Sequence, residues 1–352
     1  MRIFVTHILT KENILKYKLS VAASNFCWNL IEGGVFDKVF SILPTNVHDS
    51  INKELMEGLA YCQLRRLGGA FRFLAVIVEN LTVFKAIPSG SKVWFYNLTV
   101  LNSFLYILLR VFKRTTKIYV ILLDYTPSSN YIQKFFLWQA NHADGIIKLS
   151  NSVLFTNENS VCLPGVTPIV VTPFPRQEKI KKEFLLSGVL NERIAMTEMV
   201  LEVFSCMEDY VLHVTGEIQN EDLVGKYSSF KNIIIHGQLS YDDYISVLHR
   251  ISFQLSTRDP KYPENQCNFP SKVIEALLHN RIVVSTIQYE QLENIYYFYV
   301  PSDMNGFKQT IINICSLQET EIMKYANQGS IVNNKFNTEA WNDAMSKIES
   351  VR

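Results

Sequence analysis

Short apolar runs rich in β-branched and aromatic residues recur along the whole chain, separated by segments long enough to form helices. Runs of this kind are typical of parallel strands that are buried on both faces. Because parallel neighbours need a crossover connection, the alternation predicts an α/β fold with a doubly wound unit in each half. The predicted strands are 3–5, 39–43, 93–96, 118–123, 146–149, 184–187, 211–214, 233–235, 253–255 and 282–285.

The chain of 352 residues is long enough for two domains, since single domains usually hold about 100–200 residues. Residues 167–182 contain three prolines followed by a polar, charged run, which predicts the linker between the domains. Near the C-terminus we expect an amphipathic helix, capped by Asn337 or Thr338. Its apolar face would hold Trp341, Ala344, Met345 and Ile348.

Cysteine and histidine spacing argues against disulfides and metals. The six cysteines lie far apart without a CxxC pair, so neither a disulfide framework nor a zinc cage is indicated. The chain has no Asp-x-Asp and no HExxH, so we expect no bound metal. The N-terminus enters a strand-like run without the pattern of a secretory signal, and we therefore expect a cytoplasmic protein.

Charge is distributed unevenly. Residues 1–175 carry 17 lysines and arginines against 10 acids, and residues 176–352 carry 17 against 23. A basic half suits an anionic lipid surface or a phosphate-bearing acceptor, although an uneven scatter of solvated charges gives the same count. The most apolar segment, 98–111, is too short to span a bilayer. It is either a core helix or a helix that also touches a membrane surface with its basic end.

A candidate anion site lies in residues 268–280. Pro270 is placed where a helix begins, because proline loses nothing by lacking an N–H at the first helical position. Ser271 and Lys272 then occupy a first turn, where free N–H groups and the helix dipole attract anions. Glu275 shares a face with Lys272 and can accept hydrogen bonds from sugar hydroxyls. The alternative is an ordinary surface ion pair between Lys272 and Glu275.

Other candidates follow predicted strands, where ligands of open α/β sheets collect. Arg258 is suited to phosphate, unless it pairs with Asp259 or Glu264. Gly188 and Gly216 follow strands at points where the lack of a Cβ lets a phosphate approach the backbone. Gly237 repeats the pattern, which is common in α/β proteins.

The order of these elements, from Ser187-Gly188-Val189-Leu190-Asn191-Glu192 through Gly216 and Arg258 to Phe269-Pro270-Ser271-Lys272 and Glu275, resembles glycosyltransferase family four. The match spans most of residues 184–290. The resemblance implies the GT-B architecture, two facing Rossmann-like domains. It assigns residues 1–175 with a C-terminal helix, 336–352, to the acceptor side and residues 176–335 to the nucleotide-sugar donor.

The resemblance also implies roles for individual residues. Glu275 would hold the nucleotide ribose, and Phe269, Pro270, Ser271 and Lys272 would form the diphosphate loop. Arg258 would contact phosphate or sugar, and Lys272 and Arg258 would stabilise the charge that grows on the leaving phosphate. The sequence departs from the family pattern where Cys267 replaces a first acid and where Arg193 alone remains of a basic pair.

In the first half, Asp124 stands at the end of an apolar strand and resembles the family acid near the acceptor hydroxyl; a turn-capping aspartate is equally consistent with the sequence. Thr6, His7, Tyr96 and Asn97 are weaker acceptor-side candidates, and His7 fits a buried structural histidine as well.

The resemblance implies a glycosyltransferase that acts with retention and without a metal or other cofactor. Its partners would be a nucleotide-diphosphate sugar and a glycan or lipid-linked acceptor, in bacterial surface polysaccharide or glycoconjugate synthesis; nucleic acid is not expected. A sugar-nucleotide epimerase of the same architecture and a catalytically degenerate regulatory subunit remain open. A Rossmann oxidoreductase is disfavoured because no GxGxxG follows the first strand, and an exported sugar-binding protein because no signal is seen.

Overall fold

The computed structural model describes residues 1–9, 20–42, 59–62, 71–123, 125, 127, 130–169 and 174–351. The chain divides into two compact units, one formed by Met1–Ile169 with Phe336–Arg352 and the other by Val170–Lys335. Residues 170–173, within the predicted linker, lie outside the described part, and the boundary between the units falls there.

A parallel sheet of seven described strands forms the centre of the first unit. Its order is β3-β2-β1-β4-β5-β6-β7. The strands are β1 (Arg2–Thr6), β2 (Lys38–Ile42), β3 (Leu59–Cys62), β4 (Lys92–Tyr96), β5 (Lys117–Leu122), β6 (Gly145–Lys148) and β7 (Ser160–Cys162). Val5 lies opposite Phe40 on one side and Phe95 on the other. Both neighbours are buried, which is why the central strands read as continuous apolar runs.

The described helices between these strands are α1 (Val21–Glu32), α2 (Phe71–Ala86), α3 (Ser103–Phe112) and α4 (Tyr131–Asn141). The connections through α2, α3 and α4 all advance along the sheet in one direction, and the connection through α1 runs the other way. Since parallel crossovers are right-handed, α2, α3 and α4 form one layer and α1 covers the opposite face.

The second unit has a parallel sheet of six strands in the order β10-β9-β8-β11-β12-β13. The strands are β8 (Glu183–Leu190), β9 (Val211–Ile218), β10 (Ile233–Gly237), β11 (Phe253–Ser256), β12 (Ile282–Ser285) and β13 (Phe298–Tyr299). The helices are α5 (Glu192–Ala195), α6 (Thr197–Ser205), α7 (Glu221–Tyr227), α8 (Tyr241–Arg250), α9 (Pro263–Cys267), α10 (Ser271–Leu278), α11 (Met304–Cys315), α12 (Glu319–Ile322) and α13 (Gly329–Phe336). In the core, the rings of Phe184 and Phe253 stack with centroids 4.6 Å apart.

The C-terminal helix, α14 (Thr338–Ser350), returns to the first unit, as expected. Asn337 caps it by accepting a hydrogen bond from the Ala340 N–H at 2.8 Å. Trp341 is buried and donates to the Gly165 carbonyl at 2.8 Å. At the other end, the Glu349 carboxylate accepts from Arg2, Lys92 and Trp94 at 2.8–2.9 Å. A cap, an apolar stripe and a part-buried ion cluster therefore fix this helix to the sheet.

The structure confirms the predicted fold class and all ten predicted strands, and adds β3, β7 and β13. It also shows that the apolar segment 98–111 includes the core helix α3, in which Leu105, Tyr106, Leu108 and Leu109 are buried. Asn280 adopts the left-handed conformation expected after a helix, with φ +63°.

Candidate active site

The start of α10 is the centre of the candidate site. Pro270 has an extended ψ of 118° and is the N-cap, so the helix begins at Ser271, one residue later than the sequence predicts. The first main-chain hydrogen bond of the helix joins the Val273 N–H to the Pro270 carbonyl at 3.0 Å. The N–H groups of Ser271 and Lys272 precede that bond, and proline supplies no side-chain cap. The helix start is thus arranged to accept an anion.

Lys272 joins this helix start to the end of β8. Its ammonium group donates to the Ser187 carbonyl at 2.9 Å. Burial lowers the pKa of Lys272 to about 7, and the nearby positive charge of Arg258 acts in the same direction. A bound anion would offset both effects, because it stabilises the protonated amine.

Glu275 is held by two tyrosines of α8. The Tyr244 hydroxyl donates to one carboxylate oxygen at 2.9 Å, and the Tyr241 hydroxyl donates to the other at 3.3 Å. Burial raises the pKa of Glu275, while these hydrogen bonds act in the opposite direction. Lys272 and Glu275 therefore bond to other groups, Ser187 and the tyrosines, and do not form the simple surface pair that spacing allowed.

The tyrosines were not among the predicted site residues. Tyr241 and Tyr244 are three residues apart and thus share a helix face. That spacing, directly after a strand, is the signal from which they could have been found. Which carboxylate they would meet depends on the packing of α8 against α10.

Arg258 lies just beyond the end of β11. Its N–H donates to the Thr286 hydroxyl, and that hydroxyl donates to the Arg258 carbonyl, both at 2.7 Å. Thr286 follows β12, so the two strand ends are tied together and the guanidinium is brought close enough to lower the pKa of Lys272.

Gly188 and Gly216 lie opposite each other inside β8 and β9, not after them as predicted, because both strands continue further than their apolar runs. Their φ values are +111° and +130°. A Cβ on Gly216 would lie 1.9 Å from the Gly188 carbonyl oxygen, whereas a Cβ on Gly188 would meet no atom within 4 Å. Gly216 is required for packing, and Gly188 leaves open space beside the Ser187 carbonyl.

The other predicted residues of this unit are Phe269 and Arg193. Phe269 is buried and packs against Tyr289 with ring centroids 4.7 Å apart. Arg193 pairs with Glu264 and lies over the Tyr262 ring at 4.8 Å. Cys267, at the position where the resemblance to family four leads one to expect an acid, is a buried thiol at the end of α9. A phosphate role for Arg193 stays a prediction.

In the first unit, Asp124 lies outside the described residues. His7 is half-buried and makes structural hydrogen bonds: Nδ1 lies 2.8 Å from the Ile42 carbonyl, and Nε2 lies 3.2 Å from the Thr99 hydroxyl and the Asn102 amide. A neutral ring that donates from Nδ1 to the Ile42 carbonyl and accepts at Nε2 satisfies all three hydrogen bonds. Burial lowers the pKa of His7, which favours that form.

Within the described ranges, no three His, Cys, Asp or Glu side chains come together as a metal-binding group. Among the same residues, none of the helices combines the length and the apolar character needed to cross a bilayer.

No protein-family model matches the sequence, and no curated protein matches it. Solved structures match along the whole chain. The apo form of the lipopolysaccharide outer core galactosyltransferase WaaB has 13% identity and a TM-score of 0.62, with 99% of each chain covered. The chain has the GT-B fold.

A glycosyltransferase from Rickettsia africae matches with 16% identity and a TM-score of 0.64, covering 100% of this chain and 99% of that one. HepE of Anabaena, in complex with UDP and glucose, matches with 13% identity and a TM-score of 0.69 over 100% of both chains. At identities this low, the structural similarity establishes the fold only. The chemistry has to be argued from the residues of the site.

Proposed function

We propose that this protein is a glycosyltransferase of family four that moves a sugar from a nucleotide-diphosphate sugar to a glycan or lipid-linked acceptor, with retention of configuration. One observation carries the proposal: the start of α10 holds Lys272 against the Ser187 carbonyl, and the same helix presents Glu275, oriented by two tyrosines. A positively charged group that can bind a phosphate and a carboxylate that can accept hydrogen bonds from hydroxyl groups are thus three residues apart on one helix.

The proposed donor site assigns a role to each group. The diphosphate lies at the N–H groups of Ser271 and Lys272, with the open space at Gly188 allowing close approach. Lys272 and Arg258 supply positive charge, and Glu275 accepts hydrogen bonds from the ribose hydroxyls. Phe269 and Pro270 fix the turn that brings the chain into α10.

In the proposed reaction, the bond between the anomeric carbon and the diphosphate oxygen breaks, and the acceptor hydroxyl forms a new bond on the same face of the sugar. The electron pair and the negative charge pass to the leaving diphosphate, where Lys272, Arg258 and the helix N–H groups stabilise them. The acceptor proton also leaves with the diphosphate. Asp124 is proposed to lie near the acceptor hydroxyl, on the resemblance to the family.

The setting we propose is synthesis of bacterial surface polysaccharide or glycoconjugate on the cytoplasmic side of a membrane. Support comes from the basic first half of the sequence and from fold relatives that include a lipopolysaccharide galactosyltransferase and a complex with UDP and glucose.

Calorimetric titration with UDP tests the donor site. Lys272→Ala and Glu275→Ala should each weaken UDP binding about tenfold or more, because each removes a charged partner of the ligand. Lys324→Ala removes an exposed lysine that follows α12, on a different element of the same unit, and should bind UDP normally. Unchanged UDP affinity in both site variants would show that the donor site is elsewhere.

A catalytically degenerate subunit is the second candidate, favoured by the buried thiol of Cys267 in place of an acid. Hydrolysis or transfer of a nucleotide sugar by the purified protein would exclude it. Asp124→Asn should then bind UDP normally and lower the rate of transfer, whereas an unchanged rate would make Asp124 structural.

A further inference from the structure

The layer formed by α2, α3 and α4 exposes large apolar side chains in rows at helical spacing. On α2 these are Leu74, Val78 and Leu81, on α3 Ile107 and Val111, and on α4 Tyr131, Phe135 and Trp138. Phe112 and Ile132 extend the rows, and all ten side chains are 37–87% exposed. Proteins that remain monomeric in water rarely expose so many large apolar groups on one face.

Hydrogen bonds between the three helices place these rows side by side. Asn80 of α2 accepts from the Leu105 N–H of α3 at 2.8 Å. Tyr106 of α3 donates to the Gln139 carbonyl of α4 at 2.9 Å. The rings of Phe84 and Phe112 lie 6.3 Å apart at the ends of α2 and α3. The rows therefore form one surface, which we call the outer helix face.

Basic residues outnumber acids at this surface. Lys85, Arg114 and Lys134 are exposed at its edges or between its rows. Arg110 and Lys117 lie at the end of α3 and the start of β5, and both bind Asp144. Among the described residues of α2, α3 and α4, Glu79 on α2 is the one acid. The outer helix face is thus apolar in the middle and basic at its margin.

We infer that the outer helix face docks on an anionic phospholipid membrane. Exposed Trp and Tyr on a helix lying along the surface, with lysine and arginine at the edge, match the apolar boundary and the charge of an anionic leaflet. A symmetric contact between two copies fits less well, because it would bring two basic margins together. The inference deepens the membrane setting in the proposed function, but vesicle binding requires no catalysis, so the two can fail separately.

Tryptophan fluorescence tests this inference without any substitution. Trp138 is 51% exposed, whereas Trp28, Trp94 and Trp341 are at most 1% exposed. Acrylamide quenching in solution therefore reports mainly on Trp138. Vesicles of equimolar phosphatidylglycerol and phosphatidylcholine should reduce that quenching, and added salt should restore it. Quenching that does not change with these vesicles would overturn the inference.

Sedimentation with the same vesicles tests the individual residues. Trp138→Ser should weaken binding about tenfold or more, and Arg114→Gln and Lys134→Gln about fivefold each. Ile331→Ser, an exposed apolar residue of the second unit, and Lys347→Gln, on α14 of the first unit, are matched controls and should bind normally.

Equal vesicle binding by all five variants would remove the outer helix face as the docking surface. The inference would also be overturned if sedimentation velocity showed a dimer that Trp138→Ser dissociates. That result would assign the face to a second copy of the chain. Circular dichroism of each variant excludes unfolding as the cause of lost binding.

Discussion

The Tyr244 hydroxyl donates to the Glu275 carboxylate at 2.9 Å, across the contact between α8 and α10. Burial raises the pKa of Glu275, and the hydrogen bond from Tyr244 opposes that rise. The tyrosine therefore helps to keep the carboxylate ionised and fixes its direction. Both properties are needed if Glu275 is to accept hydrogen bonds from ribose.

Tyr244→Phe removes this hydroxyl while keeping the ring. We expect the affinity for UDP to fall about tenfold, or roughly 1.4 kcal/mol, because a half-buried carboxylate loses its shorter hydrogen bond. Calorimetric titration measures this affinity. Tyr227→Phe is the control, since Tyr227 donates to Glu202 at 2.6 Å on a different helix of the same unit. Equal UDP affinity in the two variants would contradict the role of Tyr244.

The lowered pKa of Lys272, about 7, predicts that UDP affinity depends on pH. The protonated amine binds the diphosphate, so affinity should fall as pH rises through about 7 towards pH 9. In Lys272→Arg the guanidinium stays charged. The variant should therefore lose this dependence and retain only the titration of UDP itself. Parallel pH profiles in the two proteins would argue against a phosphate contact by Lys272.

The same shift affects stability without ligand. The pKa of Lys272 is lower in the folded protein than its ordinary value of 10.5, so between about pH 7 and 10.5 the unfolded chain binds more protons. The contribution of Lys272 to the free energy of unfolding should rise with pH in that window. In denaturant titrations the free energy of unfolding of the native protein should rise relative to that of Lys272→Met as pH rises from about 7 to 10. A difference between the two proteins that does not change with pH would contradict the lowered pKa.

Gly216→Ala should destabilise the second unit by roughly 2–5 kcal/mol, because it adds a methyl group against the Gly188 carbonyl at a positive φ. Gly188→Ala adds no such contact and should cost only the conformational strain, roughly 1–3 kcal/mol. Gly225→Ala, in α7 with open space around it, should be neutral or slightly stabilising. Chemical denaturation measures all three, and a loss in Gly216→Ala no larger than in Gly188→Ala would refute the packing role.

Glu349→Gln should lower the free energy of unfolding by about 1.5–3 kcal/mol at neutral pH, because it weakens charged hydrogen bonds that hold α14. Burial raises the pKa of Glu349, but the hydrogen bonds from Arg2, Lys92 and Trp94 outweigh it, so the folded pKa lies below its usual value. The stabilisation is present above the unfolded pKa and is lost as pH falls through the folded one. The gap between variant and native protein should narrow in acid.

Asp343→Asn changes an exposed acid on the same helix and serves as the control for Glu349→Gln. Its stability should stay close to that of the native protein. A loss as large as that of Glu349→Gln would attribute the effect to the charge of α14 as a whole.

Much of the fold could be predicted because buried parallel strands leave continuous apolar runs, and all ten predicted strands are present. The strands that were missed are short or lie at sheet edges: β3, β7 and β13. Edge strands bury less of their surface and leave weaker apolar patterns. The predicted start of α10 was wrong by one residue, because proline suits the N-cap as well as the first turn.

Local properties of the chain follow from its sequence: where strands alternate with helices, that the last helix is capped at Asn337 or Thr338, and that Lys272 and Glu275 share a face of α10. The contacts between elements are seen only in the folded protein: Lys272 with Ser187, Glu275 with Tyr244, and Gly216 with Gly188. The two kinds of property differ in the sequence separation over which they act. Periodicity and capping act within one helix or strand, whereas these contacts join residues 28 to 85 positions apart, which strand order and helix packing bring together.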